Sequence, residues 1–129
     1  MRLTNHRIME LFAALRALDK KPDAKPEEGF KLAGRALYAF ARTLTHMRPT
    51  VEAIEKARVA IIEKHAAGKE SIGPKDPGWT DCQRELRELM EQESEVQIHR
   101  AKVDDLKLDD NAIPLETLVG LDPALEHAE

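Results

Sequence analysis

The chain has 129 residues, of which 34% are charged and 42% hydrophobic, with a net charge of −4. That is one domain's length and too apolar for a disordered chain. Five aromatic residues (Phe12, Phe30, Tyr38, Phe40, Trp79) are a poor basis for a base-stacking platform, and an acidic chain is a poor nonspecific nucleic-acid binder.

The first periodic segment runs from about 5 to 19, with Ile8, Leu11, Phe12, Leu15 and Leu18 on one helical face. Thr4 or Asn5 can cap it, and Lys20-Lys21-Pro22-Asp23 stops it. A second, longer helix is predicted over about 26–67. Leu37, Phe40, Leu44, Met47, Val51, Ile54, Arg58 and Ile61 alternate steps of three and four along it, as a heptad seam does. Pro26 suits its first turn and Gly68 the position past its end. Pro49 stands inside it and predicts a kink near Thr45–Pro49 or a break into two helices. Folding the first helix back on the second as a hairpin buries both apolar faces.

Residues 68–79 are rich in Gly and Pro and read as a loop. Thr80 and Gln83 then form a capping-box pattern ahead of Cys82, Leu86, Leu89 and Met90, so a third, acidic helix is predicted over 80–92. From Glu95 to Val103 the period changes, with Val96 and Ile98 alternating with Gln97 and His99, which suggests a short strand; continued helix is the alternative. Its partner is Met1–Leu3, the Lys107-Leu108 region or the same strand of a second subunit. Pro114 and Asp122-Pro123 open two short helical turns in the tail. The fold expected is mainly α in a single domain, 1–129. It comprises a helical hairpin (1–67) with one long Pro-interrupted helix, the loop, then a third short helix, a small β element and C-terminal helical turns (80–129).

Chemical motifs are scarce. Neither GxxxxGK[ST] nor GxGxxG occurs. One cysteine and the scattered His6, His46, His65, His99 and His127 give no zinc spacing. His6 and Glu10, one turn apart, read as a surface pair, and Cys82 as a small buried hydrophobe. No catalytic residue, metal site or cofactor is predicted. A lone cysteine rules out an intramolecular disulfide and fits a reducing compartment. No run approaches the ~20 apolar residues of a membrane span. Arg2, Asn5, His6, Arg7 and Glu10 interrupt any leader-like run, so a cytoplasmic address is expected.

Charge is unevenly distributed. Residues 1–68 carry 13 Lys/Arg against 8 Asp/Glu, and residues 69–129 carry 7 against 16. The halves should therefore attract each other, within one fold or between subunits. Lys31, Arg35 and Arg42 share a helical stripe, with His46 a turn beyond. That stripe is a candidate anion-binding surface, or else a solvated face or the complement of the acidic third helix with Glu85, Glu88, Glu91 and Glu95.

The layout resembles a family of small helical proteins of unknown function encoded in bacteriophage and prophage genomes. The points of likeness are the opening Leu3-Thr4-Asn5 and the short helix with Leu11, Leu15 and Leu18. The proline-containing helix running into Glu52-Ala53-Ile54-Glu55-Lys56-Ala57-Arg58 and Ile62-Glu63-Lys64-His65 follows the same layout. So do the loop Gly68–Gly78, the acidic stretch Glu85–Glu91, Val96-Gln97-Ile98-His99 and the tail from Ile113-Pro114. The resemblance supplies no catalytic residues. It implies a phage setting, with the protein in the cytoplasm of the bacterial host or in the virion.

The function expected is thus a non-enzymatic phage protein acting through protein–protein contacts, a minor virion or tail-associated component that self-associates. The expected partners are further copies of the chain and other phage or host proteins, with no membrane and with nucleic acid disfavoured. The self-association seam expected is Val51, Ile54, Arg58 and Ile61 with Val96 and Ile98, because the second helix is longer than the first can cover. The alternatives are an anti-defence or host-inhibiting accessory protein that uses the Lys31/Arg35/Arg42 stripe, and a small DNA-binding regulator.

Overall fold

The computed structural model describes residues 1–18, 32–66, 68, 72–109, 111 and 113–126, and the protein is mainly helical. Strand β1 (Arg2–Thr4) leads directly into helix α1 (Asn5–Leu18). The Thr4 hydroxyl accepts the Arg7 N–H at 3.2 Å, satisfying one of the donors that the helix start leaves open. Ile8, Leu11, Leu15 and Leu18 are all buried, whereas Phe12, off their line, is half-buried beneath the Arg16 guanidinium.

Helix α2 (Gly34–Ala66) has 33 residues, roughly 50 Å at 1.5 Å per residue. Pro49 does not break it into two helices. Met47, Val51 and Ile54 on either side of the proline are all buried, so packing holds the helix across the one hydrogen bond that the ring removes. The predicted start at Pro26 and end at Ala67 lie outside the described residues.

The buried line of α2 is Ala36, Phe40, Thr43, Met47, Val51 and Ile54. It coincides with the predicted seam at four positions and departs from it at the others. Leu37 is exposed, Leu44 and Ile61 are half-buried, and Arg58 faces solvent. The seam shifts because α2 is covered by more than one neighbour. Besides α1, the chain around 99–106 lies against it, and Thr43 meets that chain by accepting the His99 N–H at 2.9 Å. The buried residues still recur at steps of three and four, on a line turned toward that chain in the first half of the helix.

Helix α3 (Trp79–Glu91) packs on α2. The predicted capping box at Thr80 and Gln83 does not form; the helix starts one residue earlier, at Trp79, with Gly78 at the N-cap and no side-chain cap. A Cβ at Gly78 would lie 2.8 Å from the His65 carbonyl oxygen, so the close approach to the end of α2 requires glycine at this position.

The predicted strand begins and ends early. Strand β2 (Glu93–Glu95) pairs antiparallel with β1, with Arg2 opposite Glu95 and Thr4 opposite Glu93, and the Val96 N–H donates to the Met1 carbonyl at 2.9 Å. Its partner is therefore the N-terminal segment of the same chain. Two-residue strands β3 (Ala101–Lys102) and β4 (Leu125–Glu126) pair in parallel. Between them come a 3-10 turn, Val103–Leu106, helix α4 (Leu115–Leu121) begun by Pro114, and a second 3-10 turn, Asp122–Ala124. Both tail prolines stand at helical starts, where their missing N–H costs nothing.

One core joins these elements. Ile8, Leu11 and Leu15 from α1 meet Met47 from α2, Leu106 from the first 3-10 turn and Leu121 from α4, all of them fully or almost fully buried. Helix α1 packs against both α2 and α4, and α4 comes close because it presents Gly120. A Cβ there would sit 2.9 Å from the Ala14 Cβ. Among the described residues no helix is long and apolar enough to cross a membrane.

Candidate functional site

Helices α1 and α4 leave an open groove of about 510 Å³ between them, lined by Glu10, Ala13 and Ala14 on one side and Leu115, Glu116 and Val119 on the other. Helix α4 buries Gly120 and Leu121 but holds Leu115 76% and Val119 52% exposed. These two, one turn apart, form an apolar ridge on its outer side. The sequence does contain a signal for this surface: Leu115, Leu118, Val119 and Leu121 surround the helix with apolar residues on more than one face. Read only as a Pro-initiated turn, the segment yields no site.

The predicted seam residues are dispersed. Val51, Ile54 and Val96 are buried within the chain's own core, and Ile98 packs partly against it. Ile61 lies at the α2–α3 junction beside Leu89, and Arg58 pairs with Glu55 at 3.1 Å. Strand β1 pairs with Glu93–Glu95, just ahead of the Val96–Ile98 segment expected to offer an edge to a second subunit.

The basic stripe also divides. Lys31 lies outside the described residues. Arg35 is held by Asp105, which lies well after α3 in the chain. Arg42 lies over the Tyr38 ring, 5.7 Å from its centroid, and has no acidic partner among the described residues. A turn further, the His46 ring lies against that of His99 with centroids 5.2 Å apart. His99 Nε2 is buried and has no hydrogen-bond partner among the described residues. Burial, then the charges of Arg42 and His46, hold the His99 imidazole below its ordinary pKa.

Among the described residues, helix α3 makes no ion pair with Arg35 or Arg42. Its Glu85 accepts from Lys64 at 2.9 Å and meets His65, and these bonds hold its carboxyl below the ordinary glutamate range. The opposite charges of the two halves do meet inside the fold, through Arg35–Asp105, Lys64–Glu85, Arg2–Glu93 and the N-terminal amine with Glu95. Cys82 is fully buried, and His6 pairs with Glu10 at 3.0 Å. Among the described residues no three His, Cys, Asp or Glu side chains come together as metal ligands.

No protein-family model, curated protein or solved structure matches the chain.

Proposed function

We propose that this chain is a non-enzymatic component that acts through protein–protein contacts and self-associates. What carries the reading is the α1–α4 groove, where Leu115 and Val119 keep large apolar side chains in water beside an apolar floor. Association removes that surface from water at about 25 cal/mol per Å². Because Val51, Ile54 and Val96 belong to the core, the contact surface is assigned to α4 rather than to the second half of α2. The setting is that of the phage family the sequence resembles, as a minor virion or tail-associated component. In finer architecture, α1 is the first arm of a hairpin laid along the first half of α2, and Pro49 bends α2 beyond it.

Light scattering across a wide micromolar range tests the reading. A mass that climbs above the chain mass of 14.5 kDa with concentration supports it, and a constant chain mass overturns self-association. Mass spectrometry of purified particles of the encoding phage tests the virion setting separately.

A second reading, an accessory protein that binds an anionic ligand, is favoured by Arg42, which has no acidic partner among the described residues, beside His46 and His99. Titration with inorganic phosphate, followed by the imidazole NMR signals of both histidines, tests it.

A further inference from the structure

We propose that copies of this chain assemble head to tail, the α1–α4 groove of one copy receiving the outer face of α2 of the next. The inference rests on the self-association reading above and names the partner surface. Two apolar-centred surfaces of opposite charge lie on the same molecule. From 111 to the C-terminus the sequence has no Lys or Arg, and Glu116 stands at the groove with no ion-pair partner among the described residues. The first half of α2, residues 34–51, holds Arg35, Arg42 and Arg48 and no Asp or Glu. With Arg35 bound to Asp105, Arg42 and Arg48 remain without acidic partners among the described residues. Beside them Tyr38 is 65% and Leu37 47% exposed.

Charge selects which surfaces meet. Two grooves face to face would bring Glu116 against its own copy, and two α2 faces would oppose arginines, which costs affinity. Groove against α2 face sets Glu116 toward Arg42 and Arg48 while Leu115 and Val119 cover Leu37 and Tyr38. The apolar contact supplies most of the affinity and the charges fix its direction. An interface between two different patches of one molecule leaves a free groove at one end and a free face at the other. It therefore closes into a ring or continues as a filament.

The test uses one variant disabled on each side, Leu115→Arg for the groove and Tyr38→Glu for the α2 face. Both positions are exposed, and circular dichroism checks that each variant is folded. Sedimentation velocity of the wild-type protein is expected to show species larger than a dimer as concentration rises, weakening as salt is added. Each variant alone is expected to stay at the chain mass. Their equimolar mixture is expected to give a species of twice the 14.5 kDa chain mass and nothing larger, because one intact groove meets one intact α2 face. Val119→Arg and Leu37→Glu form an independent second pair that must behave in the same way. A wild type that associates while neither pair complements overturns the head-to-tail arrangement and leaves self-association standing. A wild type that stays at the chain mass at every concentration overturns both.

Discussion

The Arg35 guanidinium grips the Asp105 carboxylate with two bonds, Nε to Oδ2 at 2.6 Å and Nη2 to Oδ1 at 2.7 Å. The Ala33 N–H donates to the Asp105 carbonyl at 3.0 Å as well, so the first turn of α2 and the Val103–Leu106 turn are fastened by both side chain and backbone. The fork geometry of arginine makes such a pair directional as well as attractive.

The two partners are unequally buried: Asp105 is enclosed, whereas Arg35 reaches into solvent. Removing the arginine strands a carboxylate away from water; removing the aspartate leaves a guanidinium that water can solvate. Arg35→Ala should therefore lower the melting temperature at neutral pH more than Asp105→Ala does. Thermal unfolding of the two variants side by side checks the order. Equal shifts would show that stranding the buried carboxylate is not what costs the stability.

Acid should weaken the fold in two stages. Hydrogen bonds from Arg35, and then its charge, hold the Asp105 carboxyl below the ordinary aspartate range, as Lys64 and His65 do for Glu85 and the N-terminal amine does for Glu95. A lowered carboxylate contributes stability that is present above its unfolded pKa and is lost as pH falls through the native value. His99 has the same sign through a different cause. Burial first, then Arg42 and His46, disfavour its charged form, so the unfolded chain takes up a proton first as pH drops below 6.5. Urea midpoints measured from pH 8 to pH 3 should fall once near pH 6 and again below about pH 4. His99→Gln should remove the upper stage alone.

Leu11 is fully buried at the centre of the α1 face, while Leu44 is half-buried beside the core. Leu11→Ala should cost about 2–5 kcal/mol, the range for an emptied core leucine site, and Leu44→Ala distinctly less. Chemical denaturation of both variants measures the difference. Leu44 sits centrally in the heptad pattern of the sequence, so the comparison also tests which side of α2 carries the core.

Gly120→Ala should destabilise despite alanine's better helix propensity, worth about 1 kcal/mol. The new methyl would lie 2.9 Å from the Ala14 Cβ and 3.0 Å from the Glu10 carbonyl oxygen, and the oxygen, being backbone, cannot swing aside. Helix α4 must then shift off α1, and overpacking of this kind costs about 1–3 kcal/mol. A denaturation midpoint at or above that of the wild type would show that α4 has room to move.

What the sequence determined by itself is whatever operates within about one helical turn. The apolar period of α1, the Thr4 cap, the α3 periodicity through Cys82 and the two proline-begun turns of the tail are all legible locally, because backbone capping and helical phase involve near neighbours alone. The tertiary structure decided the rest. Pro49 signals a kink or a break, and the helix continues without a break because buried neighbours on both sides outweigh one lost bond. Thr43 lies off the heptad seam of the sequence and is fully buried, because the chain around His99 arrives to use its hydroxyl. Arg35 reads as one member of a basic stripe until Asp105, 70 positions along, takes it out of the exposed charge. The outward face of Leu115 and Val119 exists only once Gly120 has brought the other side of α4 against α1. Pattern in a sequence reports which side chains avoid water, but whether a given side meets the core or remains a surface depends on which distant element covers it.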